Sequence, residues 1–196
     1  MPLLCATATS NENETFPVAF SLIPGETGEA FQFFFQSLRE NIFCYGVPEP
    51  GVVLTDKAAG MVKAVNEGCI PNSQFQLCSW HVAEAMLKHF RNRKYTSEEI
   101  HGTNEDQANG IAKKPGLKDL VWQYIESATL LDLESNRSAL LEEMHADDKQ
   151  YILDNWRHDE KLFIVAHTRR YPNLSAISTQ RGESFHQVVH QVMNGS

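Results

Sequence analysis

The sequence lacks long apolar stretches and has few cysteines. No uninterrupted apolar run in the 196 residues approaches the roughly 20 residues of a membrane-spanning helix. The first ten residues have no basic region and too short an apolar run for a secretory signal. The four cysteines, at positions 5, 44, 69 and 78, are too few and too scattered for a disulfide scaffold. These absences argue against a membrane-spanning protein and a disulfide-stabilised secreted domain, and they favour a reducing compartment.

Positive charge is also scarce. The chain has 17 Lys and Arg against 25 Asp and Glu, which gives a formal net charge of −8. Because neutralising a phosphate backbone requires local Lys and Arg, this balance argues against a nucleic-acid-binding protein that acts by itself. The negative charge is compatible with a catalytic core whose DNA-binding regions lie outside this sequence. The composition is otherwise that of a globular protein, and the length predicts one domain that carries an insertion.

Strand-like and helix-like patterns alternate in the first 92 residues. Two apolar, β-prone runs flank the polar turn 11–14 and predict a hairpin. Thr27 is a candidate N-cap for the helix that follows the hairpin. The predicted elements are strands 1–10 and 15–23, helix 28–43, strand 51–55, helix 58–65, strand 74–78 and helix 82–90. This β-α-β-α order indicates an α/β fold.

Beyond residue 92 the pattern is helical. Residues 95–115 are polar and contain glycine, which predicts a mobile connection. The predicted helices are 117–128, 135–145, 147–156 and 159–168, and then, after the loop 171–177, a last helix over 179–193. We therefore predict three segments: the N-terminal portion of an α/β core (1–92), a helical insertion with its connecting loops (93–177), and a helix that returns to the core (178–196).

Two acidic residues are candidate catalytic groups. Asp56 follows an apolar strand, where carboxylates of open α/β sheets project into the crevice at the strand ends. The alternative is that Asp56 caps the following helix. Glu183 falls in the first turn of the last predicted helix, where the alternative is a solvated Glu stabilised by the helix dipole. His186 and His190 share its stripe at metal-ligand spacing, but no HExxH pattern accompanies them.

Cys78 and His81 straddle a predicted strand end and helix start. Together with Cys69 they are a candidate zinc site, although no CxxC and no second ligand pair is present to close it. The alternative is a buried cysteine and a hydrogen-bonded histidine. Basic residues cluster at 88–94, 157–158 and 167–171. The last cluster, which contains Arg169 and Arg170, precedes the helix of Glu183, where positive charge could meet a phosphate backbone.

Taken in order, four segments resemble the Mutator-like (MULE) transposase domain. They are PLLCATATSNENETFPVAFSLIPGETGEAFQFFFQSL, VVLTDKAAGMVKAV, IPNSQFQLCSWHVAEAM and STQRGESFHQVV. The resemblance implies an α/β fold of the ribonuclease-H-like type, in which a mixed sheet is interrupted by an all-helical insertion. It also implies an active site in which three acidic residues bind two divalent ions. In the family, this site cuts DNA strands at transposon ends and joins them to target DNA.

The resemblance assigns roles to particular residues. Asp56 matches the second catalytic acid and Glu183 the last, so both are expected to bind Mg²⁺ or Mn²⁺ rather than zinc. Cys78 and His81 match the Cys-x-x-His motif of the family. The residues expected to shape the active site or contact DNA are Cys78, His81, Arg169, Arg170 and Arg181. The resemblance implies DNA as the partner and the nucleus as the location. A homo-oligomer is also expected, and no interaction with a membrane is expected.

One expected element is missing from the match. In the family the first catalytic Asp lies on a strand just before the segment that begins here at Met1, and Glu12 and Glu14 fall on the hairpin turn instead. That strand is central in the sheet, so we expect no direct backbone pairing between the hairpin and the strand that ends at Asp56. The sequence is expected to be a fragment, to come from a decayed element, or to start at an internal Met.

Three hypotheses follow for the function. The first is a transposase catalytic core that depends on Mg²⁺ when complete. The second is a transposon-derived domain that binds DNA or protein without catalysis. The third is a zinc-binding regulatory module built on Cys69, Cys78 and His81. Because two ligands rarely hold Mg²⁺ well, we predict weak or no metal binding and no turnover for the chain as given.

Overall fold

The computed structural model describes residues 2–10, 12, 14–93, 95–102, 114–171, 179, 183 and 187. The chain divides into two compact units. Met1–Cys78 and Tyr171–Ser196 form the first, called the sheet unit below, and Ser79–Arg170 form the second, called the helical unit. The described residues mix strands and helices, in agreement with the predicted α/β class. Within this portion of the chain, every helix is too short or too polar to span a lipid bilayer.

The sheet unit begins with the predicted hairpin. Strand β1 (Leu3–Thr9) pairs antiparallel with β2 (Thr15–Leu22). The register shifts beside Pro17, which faces Thr7, so that Val18 has no partner of its own in the ladder. Proline has no N–H to donate to a ladder, and strands accommodate it at bulges of this kind.

Helix α1 (Gly28–Asn41) follows the hairpin and ends two residues before the predicted end at 43. The predicted N-cap is confirmed, because the Thr27 hydroxyl accepts the N–H of Ala30 at 3.3 Å. The predicted apolar stripe is buried at Phe31, Phe34, Phe35 and Leu38. Burial of this one face holds α1 in the sheet unit.

A second, parallel strand pair follows α1. Strand β3 (Val52–Thr55) pairs with β4 (Gln74–Leu77). Helix α2 (Ala59–Asn66) connects them and packs against α1. The ladder continues past the strand ends, since the Cys78 N–H donates to the Thr55 carbonyl at 2.7 Å. Both strands therefore stop at the same end of the pair.

The hairpin and the β3–β4 pair are two separate two-stranded sheets among the described residues. This agrees with the prediction that they have no direct backbone pairing. The larger mixed sheet of the ribonuclease-H-like type stays a prediction.

The helical unit contains only helices and connections among its described residues. Its helices are α3 (Ser79–Arg91), α4 (Ser97–His101), α5 (Leu117–Ile125), α6 (Leu130–Glu142), α7 (Ala146–Asn155), α8 (Glu160–Phe163) and α9 (Val165–Thr168). Helix α4 corrects the prediction of a connection over 95–115, of which residues 103–113 lie outside the described residues. A capping box between Thr96 and Glu99 starts it.

Two further predictions about this unit were wrong. Helix α6 begins five residues before the predicted start at 135, because Thr129 and Asp132 form a capping box. The predicted helix 159–168 is broken at Ile164, whose ψ of 132° is extended. Just beyond the break, the Ala166 N–H donates to the Ser127 carbonyl at 2.8 Å, a bond outside the helix.

A buried ion pair joins the helices of this unit. Arg137 on α6 donates to both carboxylate oxygens of Glu160, at 2.8 and 3.0 Å. The Tyr124 hydroxyl of α5 donates to the same Glu160 at 2.8 Å. Burial, followed by the neighbouring carboxylate, raises the pKa of Tyr124. Each charge in the cluster is thus paired, as buried charges must be.

Candidate functional site

Asp56 lies on the surface directly after β3. Its Oδ1 accepts the N–H of Ala58 at 3.2 Å and the hydroxyl of Thr55 at 3.4 Å. Helix α2 begins only at Ala59 and has Ala58 as its N-cap, so the alternative in which Asp56 caps the helix is wrong. The carboxylate instead closes a short turn between strand and helix. Its Oδ2 has no hydrogen-bond partner among the described residues.

Glu183 lies on a helical turn that Thr179 begins. The Glu183 N–H donates to the Thr179 carbonyl at 3.0 Å. The Thr179 hydroxyl also donates to Oε1 of Glu183 in a short hydrogen bond. Of the predicted helix 179–193, only Thr179, Glu183 and Gln187 are described, and the last two are helical. His186 and His190 lie outside the described residues.

Cys78 connects this turn to the parallel strands. Its side chain is fully buried, with 0% of the residue exposed. Its Sγ accepts the backbone N–H of Thr179 at 3.3 Å, and its own N–H donates to the Thr55 carbonyl at 2.7 Å. Successive hydrogen bonds therefore run from the Glu183 carboxylate through Thr179 and Cys78 to the residue before Asp56. The structure brings the Glu183 turn to the strand ends that Asp56 follows.

The other predicted site residues that the structure describes belong to the helical unit. His81 is half-buried in the first turn of α3, and its ring lies edge-on to Trp80 with the centroids 5.0 Å apart. The division between the units falls after Cys78, so His81 belongs to the helical unit. Arg169 and Arg170 are exposed beyond α9 in that same unit. Arg181 lies outside the described residues.

The donor atoms at the strand ends suit a hard cation. Asp56 and Glu183 offer carboxylate oxygens, which Mg²⁺ and Mn²⁺ prefer, whereas the thiol of Cys78 is soft and buried. In the portion of the chain that the structure describes, no group of three or more His, Cys, Asp or Glu could hold a metal ion. That Asp56 and Glu183 bind a cation stays a prediction.

The zinc-module hypothesis finds no support in these contacts. Burial raises the pKa of the Cys69 thiol, and Glu67 adds to the effect. Zinc binds the thiolate, so a raised pKa works against Cys69 as a ligand.

Thr179 is the residue that the sequence interpretation missed. The available signal was its spacing, because a Thr four residues before a Glu at a helix start can reach the Glu carboxylate across one turn. Its second contact, to Cys78, joins residues 101 positions apart and leaves no local signal.

Comparison with known proteins identifies the N-terminal segment of the chain. Residues 1–85 match the family described as the MULE transposase domain. The resemblance is confirmed over these residues. The matched MULE segment covers β1 to β4 and ends within α3, so it includes Asp56, Cys78 and His81. Thr179 and Glu183 lie beyond it.

A curated relative aligns with nearly the whole chain at low identity. It is the PKS-NRPS hybrid synthetase cheA of Chaetomium globosum, 23% identical over 193 residues. The alignment covers 94% of this chain but 4% of that protein, so the chain spans a small fraction of its relative. No activity of the synthetase is carried over from so limited a match. No solved structure gives a significant match to the chain.

Proposed function

We propose that the sheet unit is the catalytic core of a MULE transposase, in which Asp56 and Glu183 bind the divalent cations that promote DNA cleavage and strand transfer. The observation that carries the proposal is the hydrogen-bonded connection from Glu183 through Thr179 and Cys78 to the strand ends. This connection supports the proposal that the two acids, which are distant in the sequence, serve one site at the end of the parallel strand pair. The MULE match over residues 1–85 supplies the reaction class.

The residue types fit this chemistry. A pair of bound Mg²⁺ or Mn²⁺ ions supplies an activated oxygen nucleophile and neutralises charge on the leaving oxygen at a phosphodiester. Asp56 presents an exposed carboxylate from a turn held by two hydrogen bonds. Glu183 presents a carboxylate restrained by Thr179. Cys78 is fully buried and contacts Thr179, and we propose that it shapes the site without binding the metal.

DNA is the proposed substrate. Arg169, Arg170 and Arg181 are proposed to contact its phosphates, and His81 to lie near the active site. The proposal extends to a nuclear location, as the family resemblance implies, and to a homo-oligomer. The chain has 8 more acidic than basic residues, so further DNA contacts are proposed to come from other segments or subunits.

A domain that binds DNA or protein without catalysis is the second candidate. The observation that favours it is the incomplete ligand set, since no three candidate metal ligands lie together among the described residues. The two candidate functions differ in whether the protein cleaves DNA.

A nicking assay separates the candidates. The chain, produced with the upstream segment that the resemblance implies, is incubated with supercoiled DNA and Mg²⁺. Metal ligands contribute several kcal/mol to such reactions, so Asp56→Asn and Glu183→Gln should each slow nicking by about 100-fold or more. Glu12→Gln and Glu14→Gln change exposed acids on the hairpin turn and should leave the rate unchanged.

Equal nicking by the parent and the Asp56→Asn or Glu183→Gln variant contradicts the catalytic proposal. A folded parent that binds DNA but does not nick it favours the non-catalytic candidate.

A further inference from the structure

Thr179 occupies a position between the candidate ligand Glu183 and the buried Cys78. We propose that Thr179 is a positioning residue, which fixes the Glu183 carboxylate for cation binding while Cys78 anchors it to the parallel strands. The inference rests on the proposed function and adds to it the groups that orient the last metal ligand. Neither residue binds the metal in this scheme.

Two hydrogen bonds fix Glu183 relative to Thr179. One joins the backbone, from the Glu183 N–H to the Thr179 carbonyl at 3.0 Å. The other joins the side chains, from the Thr179 hydroxyl to Oε1 of Glu183. A free glutamate side chain samples many rotamers, and losing that freedom opposes metal binding. A hydroxyl that already restrains the carboxylate lowers this cost, as is general for groups that hydrogen-bond to metal ligands.

Cys78 makes the restraint effective, because it fixes Thr179 itself. The Thr179 N–H donates to Cys78 Sγ at 3.3 Å, and the Cys78 N–H extends the β3–β4 ladder by donating to the Thr55 carbonyl. The thiol is fully buried, so the Thr179 backbone cannot shift without breaking a contact inside the sheet unit. This accounts for a cysteine beside the site that is unsuited to bind Mg²⁺.

The test compares two substitutions at one position. Thr179→Val keeps the shape and the backbone N–H and removes only the hydroxyl. Thr179→Ser keeps the hydroxyl and is the matched control. In the same protein as in the nicking assay, water-proton relaxation measures the dissociation constant for Mn²⁺. We expect Thr179→Val to raise that constant about tenfold and Thr179→Ser to leave it unchanged.

The dependence of nicking on Mg²⁺ gives a second measurement. Thr179→Val should raise the Mg²⁺ concentration for half-maximal nicking about tenfold, with the KM for DNA unchanged. A merely structural role would instead lower the thermal midpoint and reduce nicking by the same factor at every Mg²⁺ concentration. That result, or a Thr179→Ser variant as impaired as Thr179→Val, overturns the inference.

Cys78→Ala tests the anchor separately. Without the acceptor, the Thr179 amide should exchange its hydrogen faster. The Gln74 amide of β4, which donates to the Gly51 carbonyl at 2.9 Å, should stay protected, and Mn²⁺ affinity should fall. Loss of protection along all of β4 would mean that Cys78 supports only the fold, which contradicts an anchoring role.

The Glu183→Gln variant distinguishes failure of the inference from failure of the proposed function. If Glu183→Gln weakens Mn²⁺ binding and Thr179→Val does not, the positioning role is wrong and the metal site stands. If Glu183→Gln leaves Mn²⁺ binding unchanged, or the parent binds none, the proposed function fails and the inference fails with it.

Discussion

An exposed ion pair links α1 to α2 through one side chain from each helix. Lys63 Nζ lies 2.9 Å from Oε1 of Glu29. The hydrogen bond from Lys63 is the largest of the effects that lower the pKa of Glu29 from 4.5 to about 2. The same bond raises the pKa of Lys63. A single carboxylate thus reports on the contact between the two helices.

The pH dependence of this pair has a definite sign. Because the pKa of Glu29 is lower in the folded state, its contribution to stability is present above about pH 4.5 and is lost as the pH falls toward about 2. NMR titration of the Glu29 carboxyl carbon should show its midpoint near pH 2. In the Lys63→Met control the midpoint should return toward 4.5. A midpoint near 4.5 in the parent at low salt contradicts the contact.

Individual residues were predictable where local sequence determines them. Thr27 was identified as a cap and Asp56 as the residue after an apolar strand, because both depend on their immediate neighbours. The turn that Asp56 closes was not identified, since a cap and a turn residue share the same side-chain chemistry. The contact of Cys78 with Thr179 depends on folding over 101 positions and was not predictable.

For most elements, the sequence predicted whether they are helices or strands. It did not predict several of the residues at which they begin or end. The apolar stripe of α1 predicted its buried face. The start of α6 followed its capping box and left Leu130 and Leu131 65% and 81% exposed, so the apolar pattern was misleading there. Capping hydrogen bonds decided that boundary, because they satisfy N–H groups that an apolar pattern does not reveal.

The contact between α1 and α2 depends on a glycine. A Cβ at Gly60 would lie 2.6 Å from the Glu26 carbonyl oxygen and 2.8 Å from the Thr27 carbonyl carbon. Both are backbone atoms at the start of α1, so they cannot move aside as a flexible side chain would. Only a residue without a Cβ permits this approach.

Gly60→Ala tests that contact. Alanine in a helix gains about 1 kcal/mol over glycine, but overpacking costs about 1–3 kcal/mol. We expect the clash to dominate and the free energy of unfolding in urea to fall by about 1 kcal/mol. Gly25→Ala is the control, because the nearest atom to its Cβ would be 3.9 Å away. If Gly60→Ala is as stable as Gly25→Ala, the close approach is wrong.

At the scale of the whole molecule, the sequence predicted that an α/β portion is followed by a helical stretch. It did not predict the boundary between the sheet unit and the helical unit. Helix α3 was assigned to the N-terminal segment (residues 1–92) because it follows a strand, yet it lies in the helical unit and packs against α5. Strand–helix alternation predicts local order, whereas the partner of a helix depends on contacts distant in sequence. The three-segment division itself stays a prediction.

The central claim is that Asp56 and Glu183 bind divalent cations at one shared site. Paramagnetic broadening of amide resonances by substoichiometric Mn²⁺ tests it directly, and it detects weak binding. The claim predicts that the resonances of Lys57 and Thr179 broaden together, and that Asp56→Asn or Glu183→Gln abolishes both effects. Broadening of only one of these two resonances would contradict the claim. So would a Thr179 resonance that still broadens in Asp56→Asn, or a Lys57 resonance that still broadens in Glu183→Gln.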